Sequence, residues 1–412
     1  MVKPKVLIST QNVDIGGGVG TMRRFLGTYL YQEGYDVTYV FPSRSILGMF
    51  SRKRLQIGEV DGIKAFQVRS IPYILVIDQL SAALSTRQLL NQREYDIHQS
   101  VDGANLSALS FMLSKKPYVC WVATTIKDED RLMFHPLYPF EFSPRMLLYY
   151  ICYLLKPLAY WCEKRIYDKA SKIIALSKYT ASLIREQFQI PMQKITVIPF
   201  PIDTEKFAPP RSHAPTLPRP SAHQDFILTV GRATDPRKNV ELLLRAFPLI
   251  KQQFPELRLV IIGDKPKGNQ GRKIQKLCAR LGIGDSVYLL GRLPNEDTIE
   301  YYARASVFVL PSLQEGLGIV VLESMACGTP VVSTKCGGPE EIITHGENGY
   351  LVENNNAEAL ADAVCKLLAD DNLRREMAER AREYICQHYS LERIKPKFLE
   401  AYRAAYPHLF RV

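Results

Sequence analysis

"VFVLPSLQEGLGIVVLESMACGTPVVST", Val307 to Thr334, decides the fold class. The apolar run "VFVL" reads as a buried strand, and "PSLQ" is its exit. "EGLG" sets two glycines around one apolar residue, which is a turn. "IVVLESMAC" reads as a short helix, stopped by Gly328 and forbidden to continue by Pro330. "TPVVST" is a strand again. Strand, helix and strand in that order is the repeating element of a parallel sheet with helices on both faces.

The same rhythm extends outward in both directions. "DFILTVG", "LRLVIIGD", "SVYLLG" and "GYLVE" complete a C-terminal set of strands. "PKVLIST", "YDVTYVFP", "YDIHQS", "KPYVCWVAT", "SKIIALS" and "KITVIPF" form an N-terminal set, with helical patterns between them, such as "TMRRFLGTYLYQEG" ending at Gly34. Between the two sets lies Ala208 to Gln224, with five prolines in seventeen residues and no periodicity, which reads as a linker. At 412 residues the chain exceeds one ordinary core. The expected organisation is α/β: residues 1–207 as an N-terminal Rossmann-like domain, 208–224 as linker, 225–390 as a second such domain, and 391–412 as a C-terminal helix packing back on the first. In such sheets ligands bind beyond the carboxyl ends of the strands, and with two domains the natural site is the cleft between them.

Composition narrows the class. The chain is 46% hydrophobic and 23% charged, as for a globular protein. Its eight cysteines are scattered, with neither zinc nor disulfide spacing, and the seven histidines show no metal spacing. No signal-peptide pattern precedes "KVLIST" and no run of apolar residues is long enough to span a membrane, so a cytoplasmic location is expected. The net charge of +11 leans toward the N-terminal half and favours anionic partners. Nucleic-acid motifs are absent, so no nucleic-acid partner is expected.

Several residues carry chemistry. Gly16, Gly17, Gly18 and Gly20 follow the first strand and open the first helix, where backbone N–H groups favour an anion. Their spacing is not that of a dinucleotide fingerprint, and a tight turn without ligand is the competing reading. "VGRATDPRKNVELLLRAF" puts Arg232 just past a strand and Lys238 just before a helix, suiting a diphosphate, with Arg237 a near rival. By itself this stretch reads more readily as a solvated basic loop. Glu315 sits in the "EGLG" turn and Glu323 about a turn and a half into the helix. Either both are charges at the edge of a core, or both face one pocket, where a carboxylate accepts from vicinal hydroxyls. The backbone N–H groups of Leu317, Gly318 and Ile319 would then meet a phosphate or sugar oxygen.

"PSLQEGLGIVVLESMACGTPVVSTKCGGPEEII" resembles the signature region of the retaining glycosyltransferases of family 4, which have the two-Rossmann-domain GT-B fold. The likeness rests on Pro311, Ser312, the Glu-x7-Glu pair, "GTPVV" and "GG-x-x-E-I-I". It extends to Gly231, Arg232 and Lys238, to "YLLGRLP" at Tyr288–Pro294, to the glycine loop and to "KIIALSKYT". The resemblance implies that Arg232 and Lys238 bind the diphosphate of a nucleotide diphosphate sugar, and that Glu323 holds the ribose. It implies that Glu315 holds the transferred hexose near its anomeric carbon. The backbone of Gly316, Leu317, Gly318 and Ile319 would contact sugar and phosphate, that around Arg292 and Leu293 the base, and Gly17 and Gly18 the donor phosphate and acceptor. It implies Glu315, Lys238 and Arg232 as the catalytic group, no metal and no cofactor beyond the co-substrate.

The chain departs from the family pattern at two places. No histidine follows the strand in "PYVCWVATTIKDED"; Ala123, Thr124 and Thr125 stand there, so Thr124 or Thr125, with Gly20, are expected on the acceptor side. "PFPID" at Pro199–Asp203 replaces the commoner Pro-Asn-Gly form. "DED" at Asp128–Asp130 matches a metal motif that any charged turn matches by chance. "SILGMFSRKRL" and the tyrosine-rich run Met146–Trp161 combine apolar, aromatic and basic residues. They are expected to contact the inner, anionic face of a membrane, with a lipid-linked or polysaccharide-precursor glycan as acceptor; the alternative for the second stretch is a buried helix. Two other functions fit the same fold: a nucleotide-sugar epimerase, and a non-catalytic nucleotide-sugar-binding protein.

Overall fold

A computed structural model describes residues 3–10, 18–42, 55–68, 75–102, 106–133, 154–209, 225–264 and 268–410. The chain divides into two compact units, Met1–Pro199 with Lys395–Val412, and Phe200–Ile394.

The first unit is built on an eight-stranded sheet: β1 (Lys5–Ser9), β2 (Asp36–Pro42), β3 (Leu55–Val60), β4 (Ile63–Val68), β5 (Ile97–Asp102), β6 (Val119–Val122), β7 (Lys172–Ala175) and β8 (Ile195–Val197). Their spatial order is β3-β4-β2-β1-β5-β6-β7-β8. The helices are α1 (Gly18–Gln32), α2 (Leu75–Gln92), α3 (Leu109–Leu113), α4 (Ile126–Met133), α5 (Lys156–Lys169) and α6 (Lys178–Phe188). The strands pair in parallel except β3, which runs antiparallel to β4. That hairpin is a departure from the all-parallel expectation. Its signal was Asp61-Gly62: both adopt positive φ, 53° and 73°, as a tight two-residue hairpin turn requires. Arg23 of α1, almost wholly buried, reaches this turn with Nη1 3.0 Å from Asp61 Oδ2.

The second unit has six strands: β9 (Phe226–Val230), β10 (Arg258–Ile262), β11 (Val287–Gly291), β12 (Val307–Leu310), β13 (Val331–Thr334) and β14 (Tyr350–Val352). Its helices are α7 (Val240–Gln253), α8 (Gly268–Arg280), α9 (Asn295–Arg304), α10 (Ile319–Ala326), α11 (Ala357–Ala369) and α12 (Asp371–Tyr389). The strands are all parallel, in the order β11-β10-β9-β12-β13-β14. The inner strands β9, β10 and β12 are buried along nearly their whole length and are near-continuous apolar runs, as "FILTV" and "RLVII" show. Successive strands add in one direction from β9 to β11 and in the other from β12 to β14. The reversal between β9 and β12 leaves the crevice at which such sheets bind ligands.

The division between units falls at Pro199/Phe200, ahead of the proline-rich stretch. Residues 200–207 adhere to the second unit because Ile202 N–H donates to Tyr389 O (2.7 Å), and Arg382 of α12 donates to the carbonyls of Thr204 and Phe207. The last helix, α13 (Leu391–Ala405), passes from the second unit into the first. Its Phe398 ring lies 4.7 Å from Trp121, and Tyr402 Oη lies 3.0 Å from Gln99 Oε1. The Tyr406 hydroxyl lies 3.1 Å from both the N and O of His98.

Candidate functional site

The carboxyl ends of β9 and β12 carry the residues singled out in the sequence. After β9 a single 3-10 turn, Pro236–Lys238, precedes α7, and Asp235 caps it by accepting from Arg237 N–H at 3.0 Å. Asp235 also accepts from Arg237 Nη2 (2.9 Å) and Arg232 Nη2 (2.6 Å). Burial raises the pKa of Asp235, but those hydrogen bonds and the charges of Arg237 and Arg232 outweigh it and hold it below the usual carboxylate value. Asp235 thus fixes both arginines, and Arg232 remains half-exposed while Arg237 is more covered.

Lys238 points the other way. Its Nζ lies 2.6 Å from Glu315 Oε1, across from β9 to β12. Ser312 Oγ donates to the same Oε1 at 2.7 Å. Leu313 N–H donates to Arg237 O at 2.7 Å, tying the two loops together by backbone as well. Both partners of the ion pair are largely buried, 23% and 10% exposed in their side chains, so solvent screens the contact less than on an open surface.

The turn bearing Glu315 is held from below. Glu315 N–H donates to Cys336 O (2.7 Å), and Gly338 N–H donates to Glu315 O (2.9 Å). A Cβ at position 338 would stand 2.2 Å from Leu317 Cα, so only glycine lets the loop after β13 run beneath the "EGLG" turn. Gly318 adopts φ 84° and ψ 56° at the N-cap of α10, a left-handed conformation that suits glycine. Leu317 is buried, so that residue offers a ligand only its backbone. The first N–H groups of α10, from Ile319, lie outside its internal ladder.

Glu323 is the fifth residue of α10. Its Oε2 accepts from the Tyr302 hydroxyl of α9 at 2.8 Å. Burial pushes its pKa up to about 7, the Tyr302 hydrogen bond pulling the other way. Tyr302 is fully buried and was not singled out in the sequence, where one more aromatic in "IEYYARASVFVL" reads as core.

The structure therefore joins Lys238 directly to Glu315, keeps Arg232 on the same β9 loop, and sets Glu323 on the helix behind. Arg292 and Leu293 follow β11, two strands from β9, where Arg292 Nε lies 2.5 Å from Asp264 Oδ1. In the first unit Gly18 and Gly20 open α1; Gly16 and Gly17 lie outside the described residues. Thr124 and Thr125 are both buried. Thr125 Oγ1 accepts from Asp128 N–H (3.2 Å) at the start of α4 and donates to Gln187 Oε1 (2.7 Å), which gives it a scaffold role. Asp128 is held by the Tyr179 hydroxyl at 3.0 and 3.2 Å. Among the described residues no cluster of three or more metal-ligating side chains occurs. His135 and the stretch 45–54 lie outside them.

Residues 16–206 match the model of Glycosyltransferase Family 4, and residues 218–384 that of Glycosyl transferases group 1. A D-inositol 3-phosphate glycosyltransferase of Corynebacterium urealyticum is 32% identical over 251 residues, 59% of this chain and 59% of that protein. The match thus spans about three fifths of that relative. An uncharacterized glycosyltransferase of Haemophilus influenzae is 26% identical over 393 residues, 95% of this chain and 97% of its own. Among solved structures, sucrose-phosphate synthase from Thermosynechococcus elongatus superposes with a TM-score of 0.77 at 22% identity, covering 98% of this chain and all of that one.

Proposed function

The chain belongs to the family 4 glycosyltransferases, with the GT-B fold, and from that premise we propose that it moves a hexose from a nucleotide diphosphate sugar to an acceptor hydroxyl with retention of anomeric configuration. The observation that carries the reading is the Lys238–Glu315 contact at the reversal between β9 and β12.

Lys238 and Arg232 supply positive charge for the donor diphosphate, and the N-terminus of α10 adds its partial charge. In an enclosed site these fixed charges stabilise the leaving nucleoside diphosphate as the glycosidic bond breaks, so no metal is required. Glu315 already gives Oε1 to Lys238 and Ser312, and Oε2 is the atom we assign to a hydroxyl of the transferred sugar. Held there, the carboxylate also faces the positive charge of an oxocarbenium-like transition state. Glu323 grips the ribose hydroxyls.

The acceptor is a lipid-linked or polysaccharide-precursor glycan at an anionic membrane face. Support comes from α5: Ala159, Cys162, Ile166 and Tyr167 are buried, whereas Leu158 and Trp161 are exposed, 39% and 54%. Arg165 lies over the Trp161 ring at 5.5 Å, so the outer face is apolar and basic together. No helix among the described residues is long and apolar enough to cross a membrane.

Incubation with UDP-, GDP- and ADP-hexoses and a lipid extract tests the function. Nucleoside diphosphate release coupled to an acceptor product of unchanged anomeric configuration is expected. An epimerised free sugar nucleotide, or an inverted product, contradicts it.

A further inference from the structure

We propose that Tyr302 is the positioning residue of the donor site: its hydroxyl holds Glu323 Oε2 and so leaves Oε1 aimed at the ribose hydroxyls. The proposal rests on Glu323 being the ribose ligand and adds what makes it one.

Glu323 is an unusual group to use as an acceptor. It sits in an apolar helix, "IVVLESMA", and burial, offset only in part by the Tyr302 hydrogen bond, leaves its pKa raised to about 7. A carboxyl so placed is in part protonated at neutral pH, and a protonated carboxyl is a poorer grip on two hydroxyls. The group that counters burial is Tyr302, donating at 2.8 Å. The other ionisable groups nearby do not supply that bond. Cys327 follows α10 and its thiol is raised by burial and by Glu323 itself, so it stays neutral. Arg382 of α12 spends its guanidinium on the carbonyls of Ala326, Phe207 and Thr204. Tyr302 is itself raised well above its usual value, first by burial and then by Glu323, so it remains a donor across the working range.

Tyr302 is also fixed in place. Its ring is 5.6 Å from Phe308 of β12, and its carbonyl accepts from the Thr329 hydroxyl between α10 and β13. A donor anchored on α9 and locked against β12 can hold a carboxylate on α10 at one angle, which is what selective recognition of a vicinal diol needs.

UDP, GDP and ADP, each with its 2′-deoxy counterpart, are titrated by calorimetry into wild type, Tyr302→Phe, Glu323→Gln and the double variant from pH 5.5 to 9. Wild type is expected to bind one ribonucleotide about tenfold more tightly than its 2′-deoxy form at pH 8, with the preference shrinking below pH 7. Tyr302→Phe is expected to lose that preference about three- to tenfold at pH 7 and regain it toward pH 9, leaving the 2′-deoxy affinity unchanged. Glu323→Gln is expected to remove the pH dependence, and Tyr302→Phe added to it to change nothing further. Equal loss of both nucleotide forms in Tyr302→Phe, or no movement of its pH profile, overturns the role of Tyr302. Wild-type preference and pH dependence surviving in Glu323→Gln would remove Glu323 from the ribose, and the proposal with it, while leaving the diphosphate site standing.

Discussion

Lys238 Nζ and Glu315 Oε1 lie 2.6 Å apart although 77 residues separate them in the chain. Each stands past the end of a different strand, β9 and β12, and those strands are neighbours only because the order reverses between them. The ammonium and the carboxylate satisfy one another through Oε1, and in the proposed site Lys238 also meets phosphate while Glu315 offers Oε2 to a sugar hydroxyl.

Glu315→Ala separates binding from transfer. The substitution frees Lys238 for the diphosphate and removes the grip on the sugar. Affinity for the nucleoside diphosphate alone is expected to change less than about tenfold, while kcat falls at least about a hundredfold, as when one preorganised electrostatic contact is deleted. Full turnover in this variant would exclude the assigned role of Glu315.

Gly338→Ala probes the support beneath that turn. The new methyl meets backbone, Leu317 Cα at 2.2 Å, and backbone cannot rotate away. A loss of about 1–3 kcal/mol is expected, together with weakened transfer, because the displaced residues adjoin Glu315. Urea unfolding and steady-state kinetics read the two effects; an unchanged midpoint would show that the loop relaxes freely.

His98 is expected to make the first unit acid-sensitive. It is 2% exposed, packs edge-on against Phe111, and its pKa is lowered to about 4 by burial and then by Lys116, with the Pro117 backbone and Asp96 opposing. In the unfolded chain the group titrates near 6.5. Below that value the unfolded state binds a proton that the folded state refuses, so stability is full above about pH 6.5 and declines as pH falls toward 4. The shift corresponds to about 3 kcal/mol at most. Urea unfolding followed by fluorescence reports this unit, since Trp121 and Trp161 both belong to it. His98→Leu is expected to abolish this component, whatever it costs at pH 7; an identical pH profile in that variant would refute the assignment.

The outer face of α5 makes the membrane contact testable. Wild type is expected to sediment with anionic liposomes at low salt and to be released by salt. The Trp161→Ala, Arg165→Ala double variant is expected to bind about tenfold less while keeping its melting temperature, since both side chains project outward. Indifference of the wild type to anionic vesicles would remove the membrane from the proposal.

The parts legible in the sequence were those with local physical signatures. Most inner strands are largely apolar runs, and Gly328 and Pro330 follow the end of α10, so the alternating fold could be read directly. Arg232 and Glu315 stand out because each is a charge beside glycine at a strand exit, and Lys238 because it precedes a helix on the same loop as Arg232. The β3–β4 hairpin was missed although Asp61-Gly62 marks it, because the parallel rhythm around it dominated the reading. Tyr302 was not legible at all: a buried tyrosine beside Tyr301 in α9 looks like core until its hydroxyl is seen facing Glu323. Thr125 sat in the position of a site residue, yet its hydroxyl turns back to cap α4, and that direction has no sequence signature.

The diphosphate site is tested most directly by a thermal-shift screen of UDP-, GDP- and ADP-hexoses against wild type and Lys238→Ala. One donor class at about a hundredfold excess over its dissociation constant should stabilise the wild type by about 2.7 kcal/mol, a rise of a few degrees. Lys238→Ala is expected to melt lower without ligand, because Glu315 loses its buried partner, and to lose most of the ligand-induced rise measured from its own ligand-free melting temperature. A wild type unmoved by every donor, or a Lys238→Ala variant shifted as far as the wild type, would contradict the assignment of Lys238 to the donor diphosphate.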